Sequence, residues 1–139
     1  MKRATTSLFA QLIQELPRVL FQSVVNKYRS DAHAKGISTW DVLIAMLFAQ
    51  LAGASSLREI EIGLKDSIGK ILHCGAKALS KSTLSYANEH RDYRVFRDFY
   101  FEALKIFDQH IRRHKGRKLS VKFSKPVYSL DSTLITLCL

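Results

Sequence analysis

One carboxylate near the end of the chain lies in a segment where metal-ion chemistry could occur. Asp131 stands within residues 127–137, which are rich in β-branched and aromatic side chains and predict a β-strand. A carboxylate in an apolar strand is tolerated where it holds a divalent cation. An aspartate followed by Ser132 and Thr133 is also typical of a turn or a helix cap. A single strand does not decide between these interpretations, so the residues alone leave both open.

The positive charge of the chain is concentrated in one stretch. The sequence has 22 Lys and Arg residues against 12 Asp and Glu, a net charge of +10, and residues 91–125 account for +7 of it. Two i,i+4 pairs, Arg94 with Asp98 and Asp108 with Arg112, are expected to neutralise part of this charge on a solvated helix face. The rest predicts phosphate contacts with a nucleic acid. The residues expected to make them are Arg112, Arg113, Lys115, Arg117 and Lys118.

A second set of polar side chains is suited to reading DNA. Short capped helices with a Gly-containing turn between residues 56 and 90 are the ingredients of a helix-turn-helix-like unit. The side chains expected to reach phosphates and base edges from its last helix are Lys81, Ser82, Ser85, Asn88 and Arg91. Short capped helices occur in every all-α domain, so this pattern has low specificity.

Other chemistry is disfavoured by the residues. His110 and His114 have the i,i+4 spacing of metal ligands, but the sequence between them lacks the Glu of a zinc-protease helix and no third ligand is evident. Cys74 and Cys138 lie too far apart in the sequence to suggest a disulfide framework or a zinc site, and Cys74 is expected to be a small core residue. No phosphate-binding loop, dinucleotide fingerprint or nucleophile elbow occurs.

Helices must position these side chains, because the chain up to about residue 114 is predicted to consist of helices and the segments that connect them. Apolar residues at helical spacing predict helices over 7–16 and 19–28, on either side of Pro17. Residues 29–38 are predicted as a loop, and residues 40–52 as a buried helix because they are apolar nearly all round. The remaining predicted helices cover residues 57–65, residues 68–73, a segment capped by Ser80 or Ser82, and residues 93–114.

Local signals predict where the helices begin and which faces they bury. Ser38 or Thr39 is expected to cap the buried helix, Ser56 with Glu59 has the pattern of a capping box, and Gly75 is a stop signal. On the longest helix, the stripe expected to face inward consists of Phe96, Tyr100, Leu104, Phe107 and Ile111.

Length and composition are those of a folded protein with room for one domain and part of another. The chain has 139 residues, of which 47% are hydrophobic and 24% charged. Its longest apolar run, residues 42–49, is far shorter than the ~20 residues that a membrane span needs, and no signal peptide is evident. We therefore expect a cytoplasmic protein with no membrane partner.

Three sequence blocks, in order along the chain, resemble the DDE transposases of the insertion-sequence-four group. The first block comprises residues 48–51 and 56–61, the second comprises residues 82–89 and 91–94, and the third runs from residues 128–133 through 137–139. The resemblance implies an all-α, multi-helix N-terminal domain over residues 1–122. It also implies that residues 123–139 begin a truncated RNase H-like catalytic domain with one β-strand.

The resemblance also implies a function. In such enzymes two Asp and one Glu hold Mg²⁺ ions that support DNA cleavage and strand transfer. Asp131 matches the first of these carboxylates, and is therefore expected to be a catalytic residue and a metal ligand. The other two have no match here, so we expect DNA binding, at insertion-sequence ends or nonspecifically, without cleavage or tight Mg²⁺ binding by this chain alone. The alternative is a stand-alone DNA-binding module, or a protein-interaction module that forms a homo-oligomer.

Overall fold

The structure, a computed structural model, describes residues 8–32, 34 and 36–114, without the side chains of residues 68, 70 and 111–114. Over these residues the chain forms seven helices and no β-strand, which confirms the all-α prediction for this part. The helices are α1 (Leu8–Gln14), α2 (Arg18–Lys27), α3 (Thr39–Ala52), α4 (Leu57–Asp66), α5 (Ile68–His73), α6 (Lys81–His90) and α7 (Tyr93–His114). The predicted strand at 127–137, and with it Asp131, lies outside the described residues.

Helix α3 is the buried helix that the sequence predicts, and its first turn is fixed by a reciprocal cap. The hydroxyl of Ser38 accepts a hydrogen bond from the backbone N–H of Asp41, and the carboxylate of Asp41 accepts one from the backbone N–H of Ser38. At its other end, α3 stops at Gly53, which adopts a left-handed conformation with φ +66°. Ser38 rather than Thr39 is therefore the cap.

Aromatic side chains connect α3 to the helices around it. The indole N–H of Trp40 donates a hydrogen bond to the backbone carbonyl of Cys74 (3.0 Å), and its ring packs against that of Phe21 on α2. Phe21 in turn packs edge-on against Phe99 on α7, with ring centroids 4.9 Å apart. Cys74 is buried as predicted, and this burial raises the pKa of its thiol. The core therefore runs through α2, α3 and α7.

The cap of α4 differs in one detail from the predicted capping box. The hydroxyl of Ser56 accepts a hydrogen bond from the backbone N–H of Glu59 (3.2 Å), as expected. The carboxylate of Glu59, however, reaches the backbone N–H of Ser55 (2.8 Å), one residue further back than the box requires. Hydrogen bonds from the backbone N–H and the hydroxyl of Ser55 lower the pKa of Glu59, so the carboxylate stays ionised near the positive end of α4.

The face that α7 buries also differs from the prediction. Tyr100 and Leu104 are 58% and 45% exposed, so the predicted inward stripe is wrong at these two positions, although Phe96 and Phe107 of that stripe are partly buried. The buried residues are Val95, Phe99 and Ala103, which follow one another at spacings of four. This face packs against α2, where Phe99 reaches Phe21. The apolar residues of α7 cover more than half of its circumference, so part of them must remain in solvent.

Within the part of the chain that the structure describes, no single helix is long and apolar enough to cross a membrane. Helices α3 and α4, bent by 98° at their junction, meet that requirement together in length and composition only.

Candidate nucleic-acid interface

Helix α6 carries four of the side chains that the sequence predicts to contact DNA, those of Lys81, Ser82, Ser85 and Asn88. Ser80 caps this helix, its hydroxyl accepting a hydrogen bond from the backbone N–H three residues on (3.3 Å). Leu84 and Ala87 are buried, which anchors one side of α6 in the core. The backbone N–H of Lys81 donates to the carboxylate of Glu61 on α4 (2.9 Å), and this contact fixes the start of the helix. The opposite side of α6 is therefore left in solvent.

The predicted side chains of α6 lie on two edges of its exposed side. Lys81, Ser85 and Asn88 are exposed and, at spacings of four and then three residues, follow one edge. Ser82 is exposed too, but it begins the other edge. Between the two edges lies Glu89, whose side chain is 78% exposed. The exposed side of α6 is thus rich in hydrogen-bonding groups without being uniformly positive.

The structure places Arg91, which the sequence predicts to reach DNA, inside the fold. Its side chain is 13% exposed and pairs with the carboxylate of Asp31 at 2.9 Å. Its guanidinium also donates to the backbone carbonyls of Ser30 and Ile37 and to the hydroxyl of Thr39. These contacts hold the loop between α2 and α3 against the end of α6. In this structure the guanidinium of Arg91 is therefore bound by the fold itself.

Two stacked rings extend along the second edge of α6. The ring centroids of Tyr86 and His90 lie 3.9 Å apart, and the two ring planes are inclined by 16°. Tyr86 is 64% exposed. Nδ1 of His90 lies 2.9 Å from the backbone carbonyl oxygen of Tyr86, which orients the imidazole. The sequence-based prediction includes neither residue, although their i,i+4 spacing on one helix is the signal for such a pair.

These rings line one wall of a cleft of ≈ 570 Å³ between α6 and the loop that joins α2 to α3. The helix wall is lined by Ser82, Thr83, Tyr86 and His90, and the loop wall by Ser30, Ala32, Ala34 and Ile37. Arg91 joins the two walls, because its guanidinium binds the carbonyls of Ser30 and Ile37 from the end of α6. The cleft is therefore held open by the fold itself.

All four Lys and Arg side chains that the structure describes in the stretch 91–125 have carboxylate partners. The pairs are Arg91 with Asp31 (2.9 Å), Arg94 with Asp92 (2.6 Å), Arg97 with Asp98 (2.8 Å) and Lys105 with Glu102 (2.6 Å). The predicted pair of Arg94 with Asp98 is therefore wrong. Asp92 competes successfully because, just before α7, it accepts hydrogen bonds from both the backbone N–H and the guanidinium of Arg94.

Asp98 belongs to a joint between α2 and α7. Its carboxylate accepts hydrogen bonds from the hydroxyl of Tyr28, from the guanidinium of Arg97 and from the ammonium of Lys27. These donors, Tyr28 foremost, hold the pKa of Asp98 well below its usual range, and the hydrogen bond to Asp98 raises the pKa of Lys27. Lys27 and Arg97 are therefore paired with Asp98, and the contacts of Asp98 with Lys27 and Tyr28 hold α2 and α7 together.

The excess positive charge lies further along the chain. Residues 91–110 contain four Lys and Arg and four acids, so the net +7 of the stretch belongs to residues 111–125. Arg112 and Arg113 lie in the last turn of α7, whose backbone the structure describes. Their side chains, and with them the predicted pair of Asp108 with Arg112, lie outside the described residues, as do Lys115, Arg117 and Lys118.

The described residues include no group of three or more His, Cys, Asp or Glu side chains placed to hold a metal ion. His110 is exposed on α7, and the side chain of His114 lies outside the described part of the chain. The proposed metal ligand Asp131 lies outside it as well, so the structure bears on neither metal interpretation.

The sequence model of a family described as a domain of unknown function, DUF4372, matches residues 4–77. This match covers α1 to α5 and ends just before α6. Neither a curated protein nor a solved structure was found to match the chain.

Proposed function

Because this chain belongs to the DUF4372 family, we propose that it is the DNA-contacting N-terminal part of a transposase. Members of that family are generally found in transposase-like proteins. The finer assignment, to DDE transposases of the insertion-sequence-four group, is supported by the three sequence blocks, the first of which lies within the matched residues. In the parent enzyme, Asp131 is the first of three carboxylates that hold Mg²⁺, and we expect these 139 residues alone not to cleave DNA.

The location of the charge carries the DNA-binding proposal. The described cations after residue 90 are neutralised by carboxylates, and seven further Lys and Arg residues follow between residues 111 and 125 without a single acid. The like charges in such a cluster repel one another. Binding to a polyanion such as DNA is favoured, because the cations of the cluster replace counterions that the DNA releases. It begins in the last turn of α7, a 22-residue helix that is anchored on α2. The helix therefore gives the first of these residues a fixed backbone.

Removing three cations from this cluster is expected to weaken DNA binding and its dependence on salt. In the triple variant Arg112→Gln, Arg113→Gln, Lys115→Gln, the slope of log affinity against log salt concentration should fall in magnitude by about 2 to 3, because each phosphate contact contributes about 0.9. The measurement is fluorescence anisotropy with a labelled duplex of random sequence across a series of salt concentrations.

The matched control removes three cations elsewhere. Arg58, Lys65 and Lys105 lie on α4 and α7, are exposed, and can be replaced by Gln with the same change in net charge. We expect this control to keep nearly the whole slope of the original protein. Equal losses in the two triple variants would mean that only overall charge matters, and a slope near zero in the original protein would contradict DNA binding.

The exposed apolar face of α7 favours a second candidate function, self-association. Tyr93, Tyr100 and Leu104 are 69%, 58% and 45% exposed, and lie on one side of the helix at spacings of seven and four residues. Leu43, Met46 and Leu47 of α3 border this side in an apolar groove shared with Tyr93. Apolar residues that repeat in this way along one helix are suited to pair with the same face of a second copy.

A charge placed in this face is expected to weaken self-association. Leu104→Glu should raise the dissociation constant of a dimer by at least about 10-fold, because the new carboxylate would lose its hydration in the interface. Sedimentation velocity in the absence of DNA measures this, with Leu72→Glu as the control, since Leu72 is an equally apolar, exposed residue on α5. A chain that stays monomeric at all accessible concentrations would remove this candidate.

A further inference from the structure

The ring of Tyr86 offers a flat aromatic surface that the core does not use. Tyr86 is 64% exposed although His90 already stacks against it at 3.9 Å. The imidazole is itself oriented by the contact of its Nδ1 with the backbone carbonyl of Tyr86, one helical turn earlier. The two rings are therefore ordered before any ligand arrives, which reduces the entropy lost when a third ring stacks on them.

The cleft beside this surface has the size and chemistry of a site for a small planar group. Its volume of ≈ 570 Å³ falls within the range of about 300–1,000 Å³ that is typical of ligand pockets. Ala32, Ala34 and Ile37 supply apolar contacts from the loop, while Ser82 and His90 bring a hydroxyl and a ring nitrogen from the helix. Apolar contacts suit the faces of a planar ring, and the polar groups suit its edges.

The loop wall is held in place from within the fold. The guanidinium of Arg91 joins the end of α6 to the carbonyls of Ser30 and Ile37, and its ion pair with Asp31 adds a charged contact to the same loop. Arg91 also lines the cleft, but its guanidinium is paired with the carboxylate of Asp31 at 2.9 Å, so it brings no unpaired charge there. The cleft is thus a preformed feature with one aromatic wall.

We propose that this cleft receives an unpaired nucleobase of DNA, which stacks on Tyr86; the inference rests on the proposed DNA-contacting function. A base within a duplex is covered on both faces by its neighbours and shows only its edges in the grooves. A base in a frayed end or a single strand exposes a whole face, and aromatic side chains bind such faces with little dependence on sequence. Lys81, Ser85 and Asn88 lie on the other edge of the same helix, where they can contact the adjoining phosphates.

The experiment compares two DNA probes that differ only in an unpaired end. One is a blunt duplex, and the other is the same duplex with a three-nucleotide single-stranded overhang that carries a fluorescent 2-aminopurine. The unmodified chain is expected to bind the overhang probe about 10-fold more tightly than the blunt one, since a stacked base contributes about 1–3 kcal/mol. Stacking should also quench the 2-aminopurine.

Three variants assign the preference to Tyr86. Tyr86→Ala is expected to abolish both the preference and the quenching, while blunt-duplex affinity and its salt slope stay unchanged. Tyr86→Phe keeps the ring and should retain both. The control Phe101→Ala removes an aromatic residue that is 55% exposed on α7, away from the cleft, and should leave both intact.

The outcomes separate this inference from the function on which it rests. Blunt-duplex binding with no preference for the overhang, or a preference that survives in Tyr86→Ala, overturns the base-binding site and leaves the DNA-contacting function standing. If N-acetylphenylalaninamide abolishes the quenching and deoxyadenosine monophosphate does not, the cleft binds aromatic peptide side chains. This result also overturns the base-binding site. Absence of binding to either probe overturns both proposals.

Discussion

Replacement of Arg91 by alanine is expected to lower the free energy of unfolding by about 3 kcal/mol, because it breaks a partly buried ion pair and also removes the donor of two backbone carbonyls. The carboxylate of Asp31 would lose its charged partner while still accepting hydrogen bonds from the backbone N–H and hydroxyl of Thr39. The carbonyls of Ser30 and Ile37 would lose their donor as well. Groups left unsatisfied in a partly buried site account for much of the cost of such a change.

Arg91 has this effect because several contacts converge on one side chain. Thr39, which is fully buried, donates through its hydroxyl to Asp31 and accepts from Arg91, so three side chains form one network at the start of α3. A lysine at this position has one ammonium in place of the planar guanidinium and cannot reach all of these acceptors at once. Arg91→Lys is therefore expected to recover only part of the lost stability.

Urea unfolding followed by circular dichroism measures the effect. The control is Arg94→Ala, which removes an arginine whose ion pair with Asp92 is exposed, and this change should leave the unfolding midpoint almost where it was. If Arg91→Ala leaves the midpoint unchanged and weakens DNA binding instead, the role of Arg91 is that of a DNA contact, as its sequence position suggests.

Arg91 illustrates why a sequence gives the position of a helix more readily than the direction of a side chain at its end. The helical spacing and the serine caps predict α6 within a residue or two of its observed bounds. The backbone of Arg91 has left the helical conformation, with ψ 134°, so its side chain no longer follows the periodicity of α6. Its partners come from a loop about 60 residues earlier, and local patterns contain no information about them.

Helix α7 shows a different limit. Its apolar residues form two overlapping stripes, one through Phe96 and Tyr100, which is the stripe predicted to face inward, and one through Val95 and Phe99. The structure buries the second, which brings Phe99 against Phe21 of α2. Periodicity shows that a helix is amphipathic, but where several faces are apolar the partner helix decides which of them is buried.

The candidate site was predictable in part for the same reasons. The exposed polar residues of α6 follow from its helical period, and Lys81, Ser85 and Asn88 lie in solvent as a DNA-contacting role requires. The cleft beside Tyr86 depends on how the loop between α2 and α3 packs against α6, and this contact joins segments about 50 residues apart in the sequence. The charge of residues 111–125 is a property of the sequence alone.

Asp41 is expected to be the second most sensitive position, and Asp41→Ala should lower the free energy of unfolding by about 3 kcal/mol. Asp41 is 4% exposed, and its carboxylate accepts hydrogen bonds from the backbone N–H groups of Ser38 (2.8 Å) and Lys77 (2.8 Å). The first contact caps α3, and the second ties α3 to the segment that precedes α6. Alanine would leave both N–H groups without their acceptor.

The control for Asp41→Ala is a substitution at another helix cap, one without a contact like that between Asp41 and the backbone N–H of Lys77. Ser56→Ala removes the cap of α4 near the surface, and is expected to lower the free energy of unfolding by about 1 kcal/mol.

Asp41→Asn keeps the shape of the side chain but offers only one carbonyl oxygen to the two N–H groups, so its cost should lie between those of Asp41→Ala and Ser56→Ala. Chemical denaturation of the three variants under one set of conditions gives this order. If Asp41→Ala costs no more than Ser56→Ala, the contact with Lys77 adds nothing to the cap, and the segment before α6 must be held by its own buried residues, Ala76 and Leu79.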